Sequence, residues 1–146
     1  MRHISHALSP RISGSYGFYD SIHELADSVN ISDHLTMTIQ FDESNLPKFS
    51  DDQTSMALYR IISELVNNTL KHAQANNIYL EVEVRKNDLL LTYRDDGIGL
   101  AKSTPSSSTG MGMNNIESRL NLIHAQWQLN SPATGGYEII INVPIN

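Results

Sequence analysis

ELVNNTLKHA, residues 64–73, has a two-sided pattern from which the rest of the chain can be placed. Traced at about 100° per residue, the α-helical period, Glu64, Asn67, Asn68, Lys71 and His72 fall in one arc. Leu58, Ile62, Leu65, Val66, Thr69 and Ala73 fall in the opposite one. The spacing predicts a helix with a dry back and a polar front. An ordinary solvated surface helix has the same two sides. The content of the front argues against that reading, because two adjacent asparagines are poor interior helix formers and add nothing that solubility requires. What they bring to the face is their amide groups.

Glu64 and Asn68 are four apart, so a carboxylate and an amide oxygen project side by side from successive turns. Magnesium takes hard oxygen ligands and keeps several waters, so one or two protein oxygens plus nucleotide phosphates make a typical site. Asn68 is suited to hold the metal and Glu64 to orient a water. Lys71, further along the same face, can reach phosphate as a mobile point charge. His72 beside it is a candidate nucleotide contact or a solvated neighbour. The six histidines, at positions 3, 6, 23, 34, 72 and 124, show no zinc-like spacing, and there is no cysteine. Structural zinc and thiol chemistry are therefore not expected.

Downstream, the run Leu89-Leu90-Leu91-Thr92-Tyr93 reads as a strand paired with the alternating Ile78, Leu80, Val82 and Val84 across Lys86-Asn87-Asp88. Asp95 then stands at a strand end, before Gly97 and Gly99, which let the backbone turn sharply near a ligand. An acid in that place can accept from an amino group. Asp-Gly is also a common turn dipeptide; the polar helix upstream and a second glycine pair downstream are what make DDGIG informative. Residues 101–110 contain four serines, two threonines and a proline, a composition that predicts a mobile loop serving as a lid. After it, Met113, Ile116, Leu120 and Ile123 recur at helical spacing, with Gly110 and Gly112 at the start, where free N–H groups favour an anion. The spacing matches neither GxxxxGK[ST] nor GxGxxG.

The three ordered segments, ELVNNTLKHA, DDGIG and GMGMNN at 110–115, resemble the N, G1 and G2 boxes of the GHKL ATPase/kinase superfamily in its sensor histidine kinase branch. The likeness covers roughly residues 54–146. GMGMNNIESRL is similar to the short-lid branch, and the closing SPATGGYEIIINVPIN resembles the family's final hairpin. The resemblance implies that Glu64 is the N-box acid, Asn68 the magnesium ligand, and Lys71 with His72 the phosphate-side pair. It implies that Asp95 accepts from the adenine amino group, that Gly97, Ile98 and Gly99 shape the adenine pocket, and that Gly110, Met111, Gly112 and Met113 form the lid hinge. The implied ligands are ATP and Mg2+. Asn67 and Asp96 vary in the family. One departure stands out: the family usually has Gly-Thr where this chain has Gly136-Tyr137, and that threonine helps hold a water beside the adenine-binding acid. Thr134 is out of register to replace it, so adenine recognition is expected to be weaker or differently built.

With 146 residues, 40% hydrophobic and 18% charged, the composition fits one soluble domain. The formal charge of −6 and scattered basic residues speak against nucleic acid as a partner. No apolar run approaches the roughly 20 residues that cross a bilayer, and no signal-peptide pattern opens the chain. The expected location is the cytoplasm, without direct membrane contact, any anchor of a parent kinase lying elsewhere.

Residues 1–17 read as a connector from an upstream dimerisation region and 18–146 as a single ATP-binding catalytic domain. A helix through Phe18, Ile22, Leu25, Ala26 and Val29 is followed by a strand through Leu35, Met37, Ile39 and Phe41. The order helix, strand, helix, hairpin, lid, helix, hairpin predicts a two-layer α/β sandwich with helices on one face of a mixed, mostly antiparallel sheet; the superfamily's Bergerat fold looks like this. SIHELAD, residues 21–27, is superficially like a phosphoacceptor motif, but its place just ahead of the first strand fits a connecting helix. The chain thus resembles the catalytic part of a longer kinase, which transfers the γ-phosphoryl of ATP to a histidine of its own upstream dimerisation and phosphoacceptor domain and signals to a response regulator. Alone it is expected to bind nucleotide and scarcely phosphorylate itself. The alternatives are a stand-alone ATPase, in which Glu64 activates water, and a nucleotide-dependent binding module such as an anti-sigma-like regulator.

Overall fold

The computed structural model describes residues 14–32, 34–49, 51–97, 115–130 and 136–145. Helix α1 (Gly14–Ile31) leads into strand β1 (Thr36–Phe41), then helix α2 (Asp52–Asn68), a π-helical turn (Thr69–Ala73) and the hairpin of β2 (Asn77–Val84) and β3 (Asp88–Asp95). Helix α3 (residues 115–122) precedes strands β4 (Gln126–Asn130) and β5 (Tyr137–Pro144). The five strands form one sheet in the order β1-β2-β3-β5-β4. Only β1 and β2 run parallel, with α2 as their crossover; the other three pairings are antiparallel. The order of helices and strands read from the sequence is the one observed; the lid expected over 101–110 lies outside the described residues. The sole shift at the start is that α1 begins at Gly14, inside the stretch read as a connector.

Period-two patterning sorts the sheet into two faces. Ile78, Leu80 and Val82 of β2, Leu89, Leu91 and Tyr93 of β3, and Ile139, Ile141 and Val143 of β5 are buried. Between them Tyr79, Glu81, Glu83 and Arg94 stay exposed, the Arg94 guanidinium lying 5.0 Å from the Tyr79 ring centre. The helices cover the apolar face: Phe18, Ile22, Ala26 and Val29 from α1, Leu58, Ile61, Ile62, Leu65 and Val66 from α2, and Ile116 and Leu120 from α3 join a single core. Burying each large aliphatic side chain is worth roughly 1.5–3 kcal/mol. The helix-propensity cost of Asn67 and Asn68, about 0.7 kcal/mol each or less, is small beside that, so packing and not propensity carries α2 through its asparagines.

Polar clips fix the ends. Asn30 near the end of α1 accepts from the Met37 N–H at 2.7 Å and donates to the Met37 carbonyl at 3.3 Å, tying the helix to the outer edge of β1. Asp51 caps α2, its Oδ1 accepting from the Thr54 N–H at 3.0 Å. After α3, His124 takes a left-handed conformation with φ of 59°. Its N–H donates to the Asn121 carbonyl, and that of Ala125 to the Leu120 carbonyl, the pair of bonds that closes a Schellman cap.

Candidate functional site

α2 delivers its polar front to one end of the sheet. Its last α-helical residue is Asn68; from Thr69 the coil widens into the π turn and stops at Gln74, which is left-handed at φ 53°. The Leu65 carbonyl at this point receives more than its helical partner. Besides the Thr69 N–H, the Thr69 hydroxyl lies 3.1 Å from it and the Tyr93 hydroxyl also 3.1 Å. Side-chain hydroxyls crowding one helical carbonyl accompany the local widening of the coil, and π turns recur at functional sites.

Asp95, the last residue of β3, is 4% exposed. Its Oδ2 accepts from the Thr69 hydroxyl at 2.9 Å and its Oδ1 from the Gly97 N–H at 2.9 Å. Burial is the largest influence on this carboxyl and pushes its pKa up; the Gly97 and Thr69 donors oppose that, Asp96 adds to it, and the net shift is upward. Tyr93, two residues earlier on the same face, is fully buried, its hydroxyl 2.5 Å from Thr69 Oγ1, and burial raises it strongly.

β5 flanks Asp95 on the neighbouring strand. Asp95 pairs with Tyr137 across the sheet, and burial followed by the Asp95 charge raises the Tyr137 phenol. Tyr137, read in the sequence as the departure from the family pattern, therefore lies directly beside the acid. Gly136 before it has φ of 100°, and a Cβ there would stand 2.7 Å from the Asp95 carbonyl oxygen. Glycine is needed both for the backbone conformation and for the close approach.

Asp96 faces elsewhere. Its Oδ1 accepts from the N–H groups of Asn76 and Asn77, both at 2.8 Å, and its Oδ2 from the Asn77 amide at 2.8 Å. Its own N–H donates to the Asn77 carbonyl at 3.2 Å. Burial acts to raise this carboxyl, but the Asn77 and Asn76 donors outweigh it and the net shift is downward. Asp96 thus latches the link between the π turn and β2, a role the sequence reading gave to no residue. Acid-Asn pairing of a loop start with a strand end was the available signal.

The remaining candidates divide by position. Glu64 is half-buried and lines, with Asn67, a groove of about 380 Å³ between α2 and Leu25, Ser28 and Val29 of α1. Asn68 is half-buried and Lys71 exposed on the same end of the helix; the Asn68 amide makes no capping bond. Thr69, the residue after Asn68, is the one that touches Asp95, so the amide-bearing helix end and the acid-bearing strand end are joined by a direct hydrogen bond. The donor set of Glu64 and Asn68, a carboxylate and an amide oxygen on successive turns, fits a magnesium ion that keeps most of its waters. The side chain of His72, and Ile98, Gly99, Gly110, Met111, Gly112 and Met113, lie outside the described residues. No group of three or more acidic, histidine or cysteine side chains able to hold a metal occurs among the described residues. No helix among them is long and apolar enough to cross a membrane.

Known proteins resemble this chain in sequence and in fold. The family described as histidine kinase-, DNA gyrase B-, and HSP90-like ATPase matches residues 53–146. The chain is 25% identical over 113 residues to the signal transduction histidine-protein kinase/phosphatase DegS of Brevibacillus brevis, covering 77% of this chain and 29% of that protein. It is 23% identical over 145 residues to the sensor histidine kinase ComP of Bacillus subtilis, covering 99% of this chain and 19% of the relative. It thus spans less than a third of either relative. Among solved structures, the histidine kinase domain of the blue-light activated histidine kinase of Erythrobacter litoralis superposes with a TM-score of 0.70 at 18% identity, over 99% of this chain and 69% of that one. That likeness establishes the fold.

Proposed function

Since the chain belongs to the histidine kinase-, DNA gyrase B-, and HSP90-like ATPase family, we propose that it binds Mg-ATP at the junction of α2 and β3 and serves as the catalytic domain of a sensor histidine kinase. The observation that carries this reading is Asp95: a buried acid at a strand end, bonded to the residue that follows Asn68. A base acceptor and a phosphate-side helix end are thereby tied together by one hydrogen bond, which supports a single ligand that reaches both.

In this reading Asp95 accepts from the adenine amino group, and Gly97, Ile98 and Gly99 shape the walls around the base. Asn68 would hold Mg2+, with Glu64 orienting one of its waters, and Lys71 and His72 would face the phosphates. Bound magnesium supplies neutralisation of the charge that builds on the phosphate oxygens. Gly110, Met111, Gly112 and Met113 are assigned to the lid hinge. The chemistry is attack of a histidine nitrogen on the γ-phosphorus, forming an N–P bond as the bond to the ADP oxygen breaks. The protein's share is positioning and electrostatics. The relatives are named as signal-transduction and sensor histidine kinases and are longer than this chain, which supports an acceptor histidine outside it; an upstream dimerisation domain as its source and a response regulator as the next recipient are part of the same proposal.

Calorimetry of ATP binding with and without magnesium tests the site. Asp95→Asn is expected to abolish adenine-selective binding, and Asn68→Ala to remove the magnesium dependence while leaving the fold intact. Unchanged binding in both variants overturns the assignment.

A further inference from the structure

Thr69, the first residue of the π turn after α2, continues the arc that the sequence pattern assigns to the core, and it is 4% exposed. Its hydroxyl is nonetheless the hub of a polar cluster: Asp95 Oδ2 at 2.9 Å, Tyr93 Oη at 2.5 Å and the Leu65 carbonyl at 3.1 Å. The cluster also contains the Tyr93 hydroxyl contact to Leu65 at 3.1 Å. Counting protons orders these contacts. Thr69 and Tyr93 each own one hydroxyl hydrogen, while an ionised carboxylate and a carbonyl own none. Asp95 Oδ2 takes its bond from Thr69 only if Thr69 spends its single proton there. The Tyr93 proton is then left for Thr69 Oγ1 and the Leu65 carbonyl, and the bonds run from Tyr93 to Thr69 to Asp95.

We infer that Thr69, backed by Tyr93, is the positioning residue that keeps Asp95 an oriented acceptor for the adenine amino group, so that base selectivity is set from the helix side of the pocket. The inference rests on the adenine assignment made above for Asp95. The Gly97 N–H holds Oδ1 and the Thr69 hydroxyl holds Oδ2, which fixes the carboxylate plane. Two oxygens offer about four acceptor sites, so lone pairs are left for a ligand. A hydroxyl bonded to a charged acceptor stabilises the ionised form, opposing the burial that favours protonation. A protonated carboxyl would present a donor where the amino group also needs an acceptor. Because Thr69 directly follows Asn68 in the chain, the same bond sets the distance between the base end and the phosphate end of the site. It also gives the acid a hydroxyl from the helix layer in addition to its strand neighbour Tyr137, the position at which the sequence departs from the family pattern.

The test compares affinities for ATP and for the triphosphate of purine riboside, which carries hydrogen in place of the 6-amino group, in the presence of magnesium. The parent is expected to prefer ATP. Thr69→Val, nearly isosteric but lacking the hydroxyl, should lower that preference about tenfold, the scale of a hydrogen bond to a charged group, and Thr69→Ser should restore it. A purely structural role would weaken both ligands alike, so an unchanged ratio in a folded Thr69→Val protein overturns the inference. Asp95→Asn separates the two claims. If it erases the preference while Thr69→Val keeps it, the adenine assignment stands and the positioning role falls; if Asp95→Asn keeps the preference, both fall. Should Thr69→Val fail to fold by circular dichroism, Tyr93→Phe decides, because it frees the Leu65 carbonyl to compete for the Thr69 proton. A drop of about threefold in the ratio supports the relay, and no drop overturns it.

Discussion

Asp95 sits buried at the end of β3 with a hydroxyl and one N–H as its partners, whereas Asp96, the next residue, is exposed and takes three hydrogen bonds from Asn76 and Asn77. One strand end thus presents two identical carboxyl groups to two regions. The first lies between α2 and β5, where burial dominates and donors are few. The second is the link before β2, where main-chain donors dominate and solvent is at hand. Their pKa values move in opposite directions. Residue type therefore tells little about the role of either acid; the number of donors and the degree of burial tell them apart. A buried group that keeps acceptor sites unfilled is suited to the proposed ligand, and a group with its acceptors filled by the chain holds the chain together.

The largest expected effect comes from breaking the wall behind Asp95. Gly136→Ala places a Cβ 2.7 Å from the Asp95 carbonyl oxygen at a φ of 100°. The clash is with backbone, which cannot swing aside, and the conformation is itself strained for alanine, so the loss of stability should be about 3 kcal/mol. Urea denaturation measures it. A loss well under about 1 kcal/mol would mean that the start of β5 yields freely and that Asp95 is held from the α2 side alone.

Next in size is the latch. Asp96→Ala removes three acceptor contacts on a solvent-facing turn, and the freed N–H groups can be rehydrated, which limits the cost to roughly 1–2 kcal/mol. ATP affinity should stay within about twofold of the parent after correction for the folded fraction. Thermal melts and calorimetry on the same samples check both. A loss of affinity exceeding the loss of stability would move Asp96 from the latch into the ligand site.

The contrast between the two acids was only half legible in the sequence. The run from Leu89 to Tyr93 placed Asp95 at a strand end, and the two-sided pattern around Glu64 and Asn68 set α2 with its apolar back on the sheet. Both are periodicity signals, and burial enforces periodicity. Spacing alone sorts Thr69 with the apolar arc; that its hydroxyl meets Tyr93 and Asp95 depends on how the end of α2 packs on β3, a tertiary fact that no local pattern carries. The π turn is hidden for the same reason, since the donors at the Leu65 carbonyl come partly from another strand. Asp96 read as half of a turn dipeptide, and its partners lie 19 and 20 positions upstream. Tyr137 was marked by comparison with a family pattern, but its place opposite Asp95 needed the register of β3 and β5.

The smallest effect, and the one that sets the two acids most directly against each other, is the tilt of stability with pH. Burial outweighs the Gly97 and Thr69 donors at Asp95, so its folded pKa lies above the unfolded value. Its contribution to stability is fully present below about pH 3.9, the unfolded reference, and is lost as pH rises through the folded value. At Asp96 burial also acts upward, but the bonds from Asn77 and Asn76 prevail and the folded pKa is depressed. Its contribution is present above about pH 3.9 and is lost as pH falls through the folded value. Asp95→Asn should therefore gain on the parent as pH rises from about 4 toward neutrality. Asp96→Asn should trail the parent at neutral pH and close the gap as pH falls below about 4. Urea midpoints for the three proteins over that range read out the difference, with the parent's own slope as the reference. If both substitutions tilt the curve the same way, the two carboxyls share one environment, and the division between ligand pocket and latch fails.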